Sequence, residues 1–150
     1  MGADPDMRPA ALALLTLAWA GQALAQTPPC ALNGLAPLAV QDEAKAAFLA
    51  GRYDAFYRLA TPLVPEAKER YGAVIGKLPV LLPSGFADCS TILRRQDPGG
   101  MTQEISLFRL KPPGTGVLAL LLATAPVGGK DQIIFFSFNE KITQVLEDLR

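Results

Sequence analysis

The chain has 150 residues, half of them hydrophobic, with 14 basic and 14 acidic side chains and no histidine. A formal charge of zero without a basic cluster speaks against nucleic acid or an anionic membrane as partner. The missing histidine excludes Ser-His-Asp and Cys-His catalysis and most zinc sites, so no metal or other cofactor is expected.

Arg8 precedes an apolar run from Ala10 to Ala20, and Ala23-Leu24-Ala25 follows as a small-x-small cleavage signature. This order reads as a secretory signal peptide over residues 1–25. A start at Met7 would leave out the acidic Asp4 and Asp6, which suit such a signal poorly. The run is too short for a span of ~20 apolar residues. The expected address is therefore the periplasm or the cell exterior. The mature chain, 26–150, divides into an extended leader (26–38), rich in proline and expected to be held only at Cys30, and one domain (39–150). An exported chain with an even cysteine count pairs its thiols. Cys30 and Cys89 are thus expected to form a disulfide, with a loop-closure effect of ~4 kcal/mol as an upper figure.

Helical spacing begins near Ala39, with Ala44, Ala47 and Phe48 on one face and Gly51 placed as a left-handed stop. A second helix is predicted over Tyr53–Ala60 and a third over about Pro65–Ile75, burying Ala67, Tyr71, Val74 and Ile75. Pro79–Gly85 reads as a connection. From Phe86 the period changes to two. Cys89, Thr91 and Leu93 fall on one face of the first strand, and Asp88, Ser90 and Arg94 on the other. Arg94 and Arg95 read as a solvated strand edge. Asp97–Gly100, Lys111–Gly116 and Pro126–Lys130 are turns separating strands at Thr102–Leu110, Val117–Ala125 and Gln132–Phe138. Gly128-Gly129-Lys130-Asp131 lacks the spacing of a phosphate loop and reads as a hairpin turn. The last segment is read as a fifth strand after the Asn139-Glu140-Lys141 turn, although Ile142, Val145, Leu146 and Leu149 also fit a helix face. The predicted class is α+β: N-terminal helices on a curved antiparallel sheet of four to five strands, with Phe135, Phe136 and Phe138 inside.

Phe48-Leu49-Ala50-Gly51-Arg52-Tyr53-Asp54-Ala55-Phe56-Tyr57 resembles the helix–Gly–short-helix opening of NTF2-like domains of the cystatin-like superfamily. Phe136–Ile142 resembles their closing hairpin. The chain is also similar to small exported bacterial proteins of unknown function that share that fold. The resemblance implies a cone with a pocket between helices and sheet. It implies no activity, because the fold hosts enzymes, binding modules and inert scaffolds.

Within that resemblance the candidate catalytic set is Tyr53, Asp54 and Tyr57: two tyrosines one turn apart with a carboxylate beside them. NTF2-like isomerases pair an aspartate base with a tyrosine donor in an apolar pocket, and Asp88 is a second candidate base. No position carries over residue by residue. The plainer reading has Asp54 at the helix start and the tyrosines packed with wet hydroxyls. The favoured function is a non-catalytic exported domain that binds a small hydrophobic ligand or a partner protein. The alternative is an isomerase- or cyclase-type enzyme acting on a hydrophobic substrate. A homodimer through the apolar sheet face is a further expectation.

Overall fold

The computed structural model describes residues 28–149, so the signal expected over 1–25 lies outside the described residues. The chain is α+β: helices α1 (Ala39–Leu49), α2 (Tyr53–Ala60), α3 (Ala67–Ile75) and α4 (Leu78–Leu81) precede the sheet. Strands β1 (Asp88–Gln96), β2 (Thr102–Arg109), β3 (Val117–Val127) and β4 (Lys130–Asn139) follow, and α5 (Ile142–Glu147) closes the chain. The strands form one open antiparallel meander in the order β1-β2-β3-β4. Short turns at the predicted Pro/Gly clusters impose this order, since neighbours joined by a tight turn pair directly.

One sheet face packs against α1, α2 and α3. Phe48 is its centre, with ring centroids 4.8 Å from Phe56, 5.1 Å from Phe108, 5.2 Å from Phe86, 5.6 Å from Tyr53 and 5.9 Å from Phe138. Tyr71 lies over Phe136 and Phe138 at 4.7 and 5.5 Å. The space that the cone resemblance reserves for a pocket is therefore filled with rings in stacked, tilted and edge-on contacts.

The chain is drawn tight at two glycines. Gly51 (φ +74°) ends α1, and Gly85 (φ +68°) brings the strand entry against that turn. A Cβ on Gly51 would lie 2.7 Å from the Gly85 nitrogen, while one on Gly85 would overlap the Leu49 carbonyl oxygen. That carbonyl accepts the Phe86 N–H at 2.9 Å. Only glycine fits both positions.

Five expectations are corrected. The last segment is the helix α5, and Val145, Ile142 and Leu149 cover Ile105, Ala119 and Leu121 on the second sheet face. Part of the apolar surface expected to pair two copies is thus covered within the chain. Phe135 faces this second layer and not the ring cluster. In β1 a bulge between Thr91 and Leu93 reverses the alternation. Leu93 moves to the α5 side and Arg94 turns inward, where its side chain is 11% exposed. Val74, expected in the core, is 45% exposed, because α3 buries only a narrow stripe through Ala67, Tyr71 and Ile75. Finally, the leader is held at more than Cys30. The Cys30–Cys89 disulfide is present, Thr91 Oγ1 donates to the Cys30 carbonyl, and Arg94 Nη1 donates to the Ala36 carbonyl at 2.6 Å.

Candidate functional site

The sequence-predicted triplet is not assembled. Helix α2 turns Tyr53 into the core and Asp54 into solvent, as adjacent helical positions require. The Tyr53 hydroxyl donates to the Leu82 carbonyl at 2.8 Å, and burial pushes its pKa up to about 12. A phenol so held fastens α2 to the end of α4. Tyr57 is half-buried, packed on the core one turn further along. Asp88 is exposed. Arg109 grips it with both nitrogen positions and holds its carboxyl below the usual range. Neither carboxylate faces an apolar pocket beside a hydroxyl, the geometry that general-base chemistry at neutral pH needs.

The charged groups that the fold does bury form a different cluster, missed in the sequence reading. Lys45 on α1 and Glu104 on β2 have side chains no more than 1% exposed and meet at 2.7 Å. Lys45 Nζ also lies 3.1 Å from Asp42 and 3.3 Å from Thr91 Oγ1. Arg94 Nε reaches the other Glu104 oxygen at 2.5 Å. Thr91 and Ser106 exchange a hydrogen bond at 2.8 Å, and Gln41 spans to Thr102 and Thr124. Two cations and two anions balance here. The cluster is sealed by the leader and neutral overall, as a buried ionic set must be to form. A signal was present: Gln41, Ala44, Lys45 and Phe48 share one helical stripe.

The apolar opening lies elsewhere. A groove of about 630 Å³ runs between α4 and the β2–β3 turn, lined by Leu78, Leu81, Leu82, Leu110, Val117 and Leu118, with Glu140 and Lys141 at its rim. Its floor is the margin of the aromatic core, since Leu78 is buried and Leu82, Leu110 and Leu118 pack against that core. Its walls are fixed. Lys111 Nζ donates to the Ser84 carbonyl at 2.6 Å, the Leu110 N–H donates to Gly116 at 3.1 Å, and Tyr53 holds Leu82. On α4, Leu81 stays 69% exposed and Val80 81%. The residues available here can enclose an apolar body, with Glu140 and Lys141 the charged side chains of its lining.

Among the described residues no three His, Cys, Asp or Glu side chains are placed to hold a metal ion, and no helix is long and apolar enough to cross a membrane. Compared with known proteins, the chain matches no family model, no curated protein and no solved structure.

Proposed function

We propose that this chain is an exported, non-catalytic domain of NTF2-like type that holds a small hydrophobic ligand in the groove between α4 and the β2–β3 turn. The observation that carries the reading is the groove: about 630 Å³, walled mainly by leucine and valine. That lies within the ~300–1,000 Å³ range of small-molecule sites. Export is supported by the segment over 1–25 and by the disulfide, a bond that persists in oxidising compartments. The kinship reading rests on the element order, helices first and an antiparallel meander after. A hollow cone would seat its ligand where Phe48 stands; with that place filled, the ligand moves to the mouth.

The test uses the neutral apolar fluorophore N-phenyl-1-naphthylamine, titrated into mature protein. Saturable binding at one site, displaced by dodecanol, is expected. Leu81→Asp should weaken it about tenfold or more, from the loss of ~1.5–3 kcal/mol of apolar contact. Val74→Asp, on exposed α3 surface outside the groove, should leave it unchanged. No saturable binding, or equal weakening by both variants, would remove the reading.

A further inference from the structure

Among the described residues, the outer edge of β4 pairs with no other strand. Beyond the ladder to β3, no hydrogen bond among the described residues reaches the backbone groups of residues 133–138. Ile134 bulges between Ile133 and Phe135 and blunts one end of this edge. From Phe135 to Asn139 the pairing with β3 is regular. That leaves about five residues of regular edge, ~17 Å at the usual rise per residue.

Helix α3 approaches this edge from one face, where the Tyr71 ring packs at a tilt on Phe136 and Phe138. The residues after α5 approach it from the other. Between them lie three clefts of about 280, 380 and 190 Å³, and Arg70 lines all three. Asp148 lines two of them. Ser137 and Gln103, each 4% exposed, stand in the linings with Ser137 Oγ and Gln103 Oε1 buried and unpartnered among the described residues. Native proteins leave few such atoms, and each asks for an explanation. The Arg70 side chain is 56% exposed, and its nearest described carboxylate, Glu66, is 3.9 Å away. These clefts share no lining residue with the apolar groove.

We propose that this edge takes an extended peptide of a partner protein as a fifth strand, with an acidic side chain of the peptide against Arg70. A row of alternating donors and acceptors at strand spacing is matched by another backbone, and small clefts on either side of the strand receive its alternate side chains. The charges set the side chains wanted: Arg70 calls for a carboxylate, and Asp148, which lines two of the same clefts, for a cation.

A random nonapeptide library displayed on phage, selected on the mature protein, tests this. Enriched sequences are expected to carry an acidic residue at a fixed place and to slow amide exchange selectively over residues 135–139. Arg70→Glu should weaken them about tenfold, and replacing the acidic residue by lysine should restore binding to that variant. Because Arg70 is largely exposed, the variant should melt with the parent protein. No enrichment, protection at another strand, or equal affinity for Arg70→Glu would overturn the proposal. So would slowed exchange at 135–139 on concentrating the protein alone, which would give the edge to a second copy.

Discussion

Glu104→Gln is the most informative single substitution in this domain. It removes one charge and leaves the shape intact. In the native fold Glu104 accepts from Lys45 at 2.7 Å and from Arg94 at 2.5 Å, with its side chain fully buried. The neutral amide leaves two cations with Asp42, 3.1 Å from Lys45, as the one carboxylate remaining in the cluster, and Lys45 is no more than 1% exposed. Removing one partner of a buried pair costs ~3–5 kcal/mol, and with two partners affected the upper half of that range applies, about 4 kcal/mol. Lys45→Met should cost less, ~3 kcal/mol, because Glu104 keeps Arg94. Arg94→Met should cost least, about 1–2 kcal/mol, since its side chain stands at the rim, 11% exposed, where water can replace it. Against a domain stability of ~5–15 kcal/mol, the first loss lowers the melting point by roughly 15 °C. Urea unfolding followed by far-ultraviolet circular dichroism reads all three, the only tryptophan, Trp19, being in the proposed export signal. The ordering is the test. Lys45→Met placed on the Glu104→Gln background should also cost at least about 1 kcal/mol less than alone. Glu104→Gln within 1 kcal/mol of the parent, or Arg94→Met as the most damaging of the three, would refute the account of a charge set held by mutual pairing.

Gly85→Ala should destabilise by more than ~3 kcal/mol, since the new Cβ meets the Leu49 carbonyl at a positive φ. Gly128→Ala, also at positive φ but in open space, should cost only about 1 kcal/mol; thermal melts showing equal losses would contradict the close approach. Tyr53 gives a pH signature. Its folded pKa of about 12 exceeds the ordinary 10.0, so its contribution is complete below pH 10 and is lost as pH rises through 12. Tyr53→Phe should flatten the fall of stability over that interval while costing about 1 kcal/mol at neutral pH through the lost bond to Leu82. An unchanged alkaline slope would show that the phenol is not held as described.

Where one local rule acted alone, the sequence was enough. Gly and Pro clusters placed the hairpin turns, the period change near Phe86 placed the start of the sheet, and the even cysteine count in an export context predicted the disulfide. Errors arose where two rules competed. Ile142, Val145 and Leu149 satisfied both a hairpin return and a helix face. The helix prevailed because the second sheet face, bearing Ile105 and Leu121, needed cover. One inserted residue at Ile92 exchanged the faces of Leu93 and Arg94, and no period can foresee a bulge. Glu104 reads as a solvent position by its charge, yet it shares a sheet face with Phe108. Its burial is intelligible only once Lys45 is seen across the interface. Tyr53 and Asp54 part for a simpler reason, one buried and the other exposed: neighbours on a helix point about 100° apart.

The leader and the buried charges form one unit, and this bears on where the domain can work. Thr91 Oγ1 bonds the Cys30 carbonyl while also contacting Lys45 and Ser106, and Arg94 bonds Glu104 and the Ala36 carbonyl together. Each leader contact therefore completes a partner set within the ionic cluster. The pairs resist water only while the leader lies over them, because the desolvation of paired ions is recovered only in complete, close geometry. The disulfide to Cys89, beside Thr91, holds the leader there. Opening it would remove the closure effect of ~4 kcal/mol and free the segment that seals Lys45 and Glu104. A chain built this way loses stability when that bond is reduced, so its fold fits oxidising surroundings, in which disulfides persist.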